Sequence, residues 1–444
     1  MSVLELRTDC DVLVIGGGAA GLCAAISAAE AGARVIVAEK NRRPGVKILI
    51  SGGTRCNLTN ARGLRSLRGV TGSIDPDYDP SQAQGARSIQ QAFGAGGKFL
   101  GPALRALSVE SSVALFESEG VATKIESNGK VFPASDRAKD VLDALLRHLE
   151  RSGATLRCNS PVNVIERCDD TFRVVLPEGP IITKHVILAV GGRSYPGCGT
   201  VGDGYAIAAS FGHTIVQPRP ALVPIRVEPD WVPGLKGLTL TDISAAILTP
   251  GGEKLLERRE ALLFAHFGLT GPAILDISRA VTRYDGPDHT VLTIDLMPGV
   301  RFEAIDLQIQ KTSRSGRKAA LNLVPAEIPH RLAEIVLREA GVPEGRTGPD
   351  LSRDERQRLV SRCKDLRITV TGTLGFAKAE VTSGGVTLDE VEPTTLESKC
   401  RPGLFFAGEV LDLDGLIGGY NFQAAWSTGW LAGQVAASKA LRSS

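Results

Sequence analysis

The segment DVLVIGGGAAGLCAAISAAEAGARVIVAEK, Asp11 to Lys40, constrains the fold more than any other part of the chain. From Val12 to Ala29 it carries no charge, which raises the question of a membrane anchor. A spanning helix needs roughly 20 apolar residues in one regular element. Here Gly16, Gly17 and Gly18 break the run after four aliphatic residues. The preceding residues hold Asp9 and Asp11 with only Arg7 as a base, which is not the flank of an export signal. Periodicity instead predicts a buried strand over Val12–Ile15, a tight turn, an alanine-rich helix over Ala19–Ala31 and a second strand over Arg34–Ala38.

Within that strand, turn, helix, strand unit, Gly16, Gly18 and Gly21 satisfy G-x-G-x-x-G. The first glycine turns the chain, the second lets a pyrophosphate approach the backbone, and the third lets helix pack on strand. The uncapped helix N-terminus then offers N–H groups and a positive dipole end to the phosphates. Glu39 ends the second strand, where a carboxylate can accept hydrogen bonds from an adenosine ribose. Gly16, Gly18, Ala19, Ala20, Gly21, Glu39 and Lys40 are therefore expected to line a dinucleotide. The adenosine diphosphate half is common to NAD and FAD, so this segment leaves the choice open.

The remaining sequence bounds the class. A chain of 444 residues holds two or three domains, and 51 basic against 49 acidic residues leave no global field favouring nucleic acid or an anionic membrane. The cysteines at 10, 23, 56, 158, 168, 198, 363 and 400 show no C-x-x-C, and the six histidines form no H-E-x-x-H. Free thiols in a reducing cytosol and no metal are expected. A Gly/Ser/Asp/Gln-rich stretch from Ala61 to about Gly97 reads as a mobile loop with one short helix. Helical spacing recurs over Asp136–Arg151, and a buried strand at Val186–Val190 runs into GGRSYPGCGTVGDGY. From about Gln217 prolines punctuate strand-like segments, followed by helices and a charged stretch over Arg301–Arg362. The expected division is 1–217, an insertion over 218–370 that roofs the ligand and supplies the substrate pocket, and 371–444 returning to the first domain.

Near the C-terminus a buried strand over Leu404–Ala407 ends at Gly408-Glu409, and Gly418-Gly419 precedes a helix from Asn421 to Ala437. The segments IGGGAAGLCAAI, GVKILISGGTRCNLTN, GGRSYPGCGTVGDGY, SGGV, LESK and PGLFFAGEVLDLDGLIGGYNFQAAWSTG together resemble the BaiN and aminoacetone oxidase-like family of FAD-dependent flavoproteins, within the glutathione-reductase-like superfamily. The resemblance implies an α/β protein whose Rossmann-like FAD-binding domain is built from both chain ends and interrupted by a β-barrel with a helical subdomain. It implies FAD as cofactor, with Lys47, Gly52, Arg55, Asn57, Gly191, Gly408, Glu409, Gly418, Gly419, Asn421 and Gln423 as further contacts. The C-terminal helix would aim its N-terminus at the pyrimidine end of the flavin and stabilise negative charge on the reduced ring. This chain departs from family members in carrying Thr54 where Gly is common.

For the chemistry, Arg55, Cys56 and Tyr195 are the candidates. No second cysteine stands five residues after Cys56, where Ala61 is found, so a dithiol relay is absent and Cys56 is either a packed thiol or a group against the ring. Arg55 either binds a substrate carboxylate or holds its loop by an ion pair. Ser194 and Tyr195 either face the site or make buried hydrogen bonds, and Asn57, Thr59 and Asn60 either cap a loop or contact cofactor. Lys311, Arg314, Arg317 and Lys318 form an RNA-facing patch or a solvated face. The leading expectation is a cytoplasmic FAD oxidoreductase exchanging a hydride between flavin and a small amine or enone. With one dinucleotide fingerprint, NAD(P)H would dock only transiently as reductant, or O2 would be the electron partner. A flavin-dependent RNA-modifying enzyme and a non-catalytic redox sensor are the alternatives. No nucleic-acid or membrane partner is expected.

Overall fold

The computed structural model of the chain describes residues 8–67, 71–314 and 319–442. These form two compact units, one made of residues 1–219 and 380–444 and the other of residues 220–379. Cutting the chain at 370, as the sequence suggested, would fall inside the strand Leu366–Thr373, which is part of the closed barrel.

Within the described residues the first unit is built on a seven-stranded sheet. Cys10–Ile15 lies at its centre, parallel to Val35–Ala38 on one side and to Gly179–Leu188 on the other. Thr155–Arg157 extends the sheet past Val35–Ala38, and Leu404–Phe406 joins in parallel beside Val186–Leu188. The hairpin Val164–Cys168 and Thr171–Leu176 completes it in antiparallel fashion. Register decides what these strands can do. Ile15 pairs with Ala38 and with Leu188, and Leu188 pairs with Phe406, so four parallel strands end on one line. Gly16, Glu39, Ala189 and Ala407 therefore emerge along one sheet edge, the carboxyl edge where open α/β sheets receive ligands.

Two helices cover one face of the sheet. Ala19–Glu30 buries Ala20, Leu22, Ala24, Ala25, Ile26 and Ala28, a surface of small side chains that lets another helix come close. The long C-terminal helix Tyr420–Arg442 takes that place. A Cβ on Gly429 would stand 2.2 Å from the Ala20 carbonyl oxygen, and one on Gly433 would stand 2.2 Å from that of Ala24. Both glycines are required by backbone contact between helices, and this couples the chain ends directly.

The stretch read as a mobile loop is built differently. It contains a 3-10 turn at Ala61–Gly63, the helix Ala86–Gln91 and a turn-rich run over Gly94–Leu100, and it places Tyr78, Ile89, Phe93 and Leu100 in the core. Its few apolar residues are the ones that matter, and they are too irregularly spaced to register as a period. Residues 68–70 lie outside the described residues.

In the second unit a closed barrel runs in the order Ile225–Val227, Gly268–Thr270, Lys254–Ala265, Thr239–Leu248, Val291–Asp295, Leu366–Thr373. Leu292 with Ile294, and Leu366 with Ile368 and Val370, alternate into its core. Helices Phe302–Arg314, His330–Glu339 and Arg353–Lys364 form the charged helical part, the last opened by a capping box between Ser352 and Glu355. Lys311 and Arg314 are exposed on the final turn of the first of these, and Arg317 and Lys318 lie outside the described residues. Among the described residues no single helix is long and apolar enough to cross a membrane.

Candidate functional site

The three fingerprint glycines fall into three distinct geometries. Gly16 has φ +102°, and a Cβ there would stand 2.6 Å from the Ala189 carbonyl oxygen, so the turn cannot carry a side chain. At Gly21 a Cβ would stand 1.8 Å from the Gly16 carbonyl oxygen, so the helix can only start this close to the strand with glycine. Around Gly18 a Cβ would meet nothing within 4 Å. That open space lies before a helix start whose N-cap has no side-chain hydrogen bond and whose first turn holds no acid. Two positions are closed by packing and one faces room for an anion. This is the division of labour a pyrophosphate cradle needs.

Beside it, buried Glu39 accepts from the Gly17 N–H at 2.7 Å and the Asn41 N–H at 2.8 Å. One oxygen takes each donor, which leaves further acceptor capacity on both. Lys40 pairs with Asp203.

A second cluster sits at the end of Leu404–Phe406. Lys47 Nζ lies 2.6 Å from Glu409 Oε2 and 2.6 Å from Ser194 Oγ. Ser194 Oγ donates to Glu409 Oε1 at 2.8 Å, and the Thr382 N–H donates to the same oxygen at 2.8 Å. Gly192 packs against this group, since a Cβ there would stand 2.4 Å from Thr382 Oγ1. Gly191 has φ +75° and Gly408 φ +73°, and a Cβ on Gly408 would stand 2.8 Å from that of Ala20. The C-terminal strand end and the helix Ala19–Glu30 thus meet at glycine contact.

The third element joins residues 57–60 to the start of the C-terminal helix. Asn60 Nδ2 donates to the Gly418 carbonyl at 2.9 Å, Trp426 Nε1 to that of Leu58 at 2.9 Å, and Thr59 Oγ1 to Gln423 Oε1 at 2.7 Å. Gly418 and Gly419 have φ +131° and +94°, and a Cβ on Gly419 would stand 2.4 Å from the Thr59 carbonyl oxygen. Beside Gly419, Asn57 Oδ1 is buried with no hydrogen-bond partner. So is Tyr205 Oη, whose ring follows the GDG turn and which burial, with Glu409 nearby, pushes well above its ordinary pKa.

These features fit FAD: an open phosphate cradle, a buried carboxylate with spare lone pairs, and orphaned polar atoms beside glycine-lined backbone. Gly16, Gly18, Ala20, Gly21, Glu39, Lys47, Gly408, Glu409, Gly418, Gly419 and Asn57 belong to this one unit of converging ends. Ser194, Thr382 and Tyr205 join them. Only Ser194 was singled out from sequence, and Thr382 immediately precedes the quoted SGGV segment.

Several candidates turn out to be occupied elsewhere. Arg55 Nη1 lies 2.7 Å from Glu126 and 3.2 Å from Asp136, with the guanidinium 3.8 Å over the Phe132 ring. It clamps its loop to the segment 126–136, which is the ion-pair arrangement named as one of its two alternatives. Gln423 is fully buried, with Nε2 donating to the Leu107 carbonyl, Ser112 and Ser427. Both ends of its amide are engaged within the protein and hold the helix start in place. Asn421 uses its side chain to hold the turn at Gly415 and Leu416. Tyr195 is partly buried at φ +53° in the turn after Ser194.

Cys56 is fully buried, and burial pushes its thiol up to about 12. The packed-thiol alternative therefore describes it, and two measurements follow. In the folded protein Cys56 should resist alkylation under conditions where exposed Cys400 reacts. Cys56→Ser should leave cofactor occupancy intact while lowering stability by about 1–2 kcal/mol, since a hydroxyl is harder to bury than a thiol.

Thr54 is strained, with φ +70° at a β-branched residue following Gly52 (φ +54°) and Gly53 (φ +69°). Thr54→Gly should raise the urea midpoint by the equivalent of about 1 kcal/mol, as relief of the left-handed strain outweighs the added chain entropy. An unchanged or lower midpoint would show that the left-handed backbone carries no penalty here.

Comparison with known proteins agrees with this geometry. The HI0933-like protein Rossmann domain model matches residues 10–71 and 81–435. A protein of Escherichia coli (strain K12) called ribosomal RNA dihydrouridine synthase is 33% identical over 424 residues, covering 96% of this chain and 97% of that protein. A 3-dehydro-bile acid delta(4,6)-reductase of Clostridium scindens is 32% identical over 436 residues, covering 96% of this chain and 98% of its own. Among solved structures, a 3-ketosteroid delta1-dehydrogenase from Sterolibacterium denitrificans matches with a TM-score of 0.50 at 13% identity. That match spans 97% of this chain and 99% of the other, and it shows a shared fold.

Proposed function

The chain belongs to the HI0933-like Rossmann-domain family of flavin-dependent oxidoreductases, and on that premise we propose that it reduces a carbon–carbon double bond conjugated to a carbonyl. The observation that carries this reading is a chemistry shared by two names. Dihydrouridine differs from uridine by saturation of a ring C=C beside a carbonyl, and a 3-oxo delta(4,6) bile acid presents a dienone. In uridine the hydride goes to the carbon β to a carbonyl; in the dienone it goes to the β carbon of the delta-4 bond or the vinylogous δ carbon of the delta-6 bond, and a proton completes each product.

FAD, when bound, supplies the hydride, and NAD(P)H is the proposed source of its electrons. The chain's own residues hold it. Gly18 and the helix start behind it would face the pyrophosphate, and Glu39 the adenosine ribose. Glu409, fixed by Lys47, Ser194 and Thr382, would stand at the ribityl chain. The start of Tyr420–Arg442 with Asn57 would meet the pyrimidine edge, whose developing negative charge a helix N-terminus stabilises.

A second reading places the double bond in a uridine of ribosomal RNA, and the names of two relatives favour it. Both readings share one test. Protein with photoreduced flavin is mixed anaerobically with a 3-oxo-delta(4,6) steroid, with a ribosomal RNA fragment and with a panel of amines. Reoxidation by the steroid supports a small-molecule enone reductase, and reoxidation by RNA with dihydrouridine formed supports the second reading. Reoxidation by neither, with oxidised flavin bleached by an amine, would overturn the proposal.

Lys47→Met tests the pairing at Glu409. It removes the counter-charge from a carboxylate that Ser194 and Thr382 still hold, and FAD affinity should fall about 10- to 100-fold. The pair Lys47→Met with Glu409→Gln should recover part of that loss. Equal affinity in wild type and Lys47→Met, by fluorescence titration of apoprotein, would remove Lys47 from the cofactor site.

A further inference from the structure

On the first unit, three segments distant in sequence bring His213, Glu390 and Cys400 together, with one ligand-type atom of each within 4.8 Å of the others. His213 follows the helix Asp203–Ser210, Glu390 ends a 3-10 turn, and Cys400 lies in the turn before Leu404–Phe406. His213 is 4% exposed, its ring edge-on to Phe406 with centroids 4.7 Å apart. Its Nδ1 is buried without a hydrogen-bond partner, 3.3 Å from Glu390 Oε2.

We propose that His213, Glu390 and Cys400 form a binding site for a divalent cation of the zinc type. A nitrogen, an oxygen and a sulfur donor at this spacing suit a small tetrahedral ion, and the exposure of Cys400 leaves a fourth position to water. Histidine and carboxylate are already oriented by a second layer of hydrogen bonds, which is what tunes such ligands. His213 Nε2 lies 2.7 Å from Ser398 Oγ. Glu390 receives the Thr214 N–H at 2.7 Å and the Thr214 hydroxyl at 2.8 Å, and the Thr214 N–H holds this carboxyl below its usual range. Ser398 Oγ also accepts from the Cys400 N–H at 3.1 Å, so the serine that orients the imidazole also fixes the cysteine backbone.

The ion would tie the approach to Leu404–Phe406, the strand that delivers Gly408 and Glu409.

The test uses the full-length, FAD-loaded protein and Zn2+ alone. After dialysis against a weak chelator, about one equivalent of zinc should remain by mass spectrometry, and Zn2+ should slow iodoacetamide modification of Cys400 at least about tenfold. Cys400→Ser, at an exposed position, should keep its FAD and lose the zinc. Glu390→Gln should keep a reactive Cys400 and lose its protection. Zinc absent after dialysis, zinc retained by Cys400→Ser, or Cys400 alkylated equally fast with and without Zn2+ would each overturn the site.

Discussion

Gly18→Val is expected to give a folded protein without FAD. Gly18 has φ −85° and ψ −167°, an extended conformation open to any L residue, and a Cβ there meets nothing within 4 Å. The substitution therefore costs the fold little. It places a branched side chain in the space before the helix start, where the pyrophosphate must reach backbone N–H groups. Losing that approach should weaken FAD by more than about a hundredfold, or about 3 kcal/mol. Gly21→Val is the control with the opposite outcome. Its Cβ would overlap the Gly16 carbonyl at 1.8 Å, so the unit itself should fail to form. Circular dichroism and flavin absorbance on both variants separate the cases. A folded Gly18→Val protein with full FAD occupancy would show that the glycine turn is not the phosphate site.

The same contrast explains what could be read in advance. The first strand, turn and helix were legible because their determinants are local: alternating periods, a glycine pattern and a terminal acid lie within one short segment. The partners of Arg55 were not legible. Glu126, Asp136 and Phe132 reach it from a distant hairpin, and no spacing in the sequence reveals that they share a face. The partners of Gln423 were hidden for a related reason. Its place at a helix start beside two glycines suggested a ligand contact, yet Thr59, Ser112 and Ser427 take both ends of its amide. Lys47 and Glu409 were each named, but their ion pair is a product of the tertiary fold. One signal was available and unused: Gly429 and Gly433, one helical turn apart, announce a helix whose backbone touches another.

Deleting residues 220–379 and joining Arg219 to Glu380 through a short Gly/Ser linker should leave a yellow, FAD-loaded protein. The joint is short because the flanks already touch. A Cβ on Gly384 would stand 2.5 Å from the Gln217 carbonyl oxygen. All the converging elements stay within the retained residues: the cradle at Gly16–Gly21, Glu39, the Lys47–Glu409 pair and the start of Tyr420–Arg442. Ending the chain at residue 218 should do the reverse. It removes Leu404–Phe406 from the sheet, Glu409 from Lys47, and the helix whose glycines 429 and 433 seat Ala20 and Ala24. The helix Ala19–Glu30 would then expose the apolar face that now packs on its partner, and half the cofactor contacts would be gone. The truncated protein should therefore retain no FAD, whereas the deletion should bind it within about tenfold of the full chain. FAD lost from a folded deletion, or retained by the truncated chain, would refute a cofactor site assembled from the two chain ends.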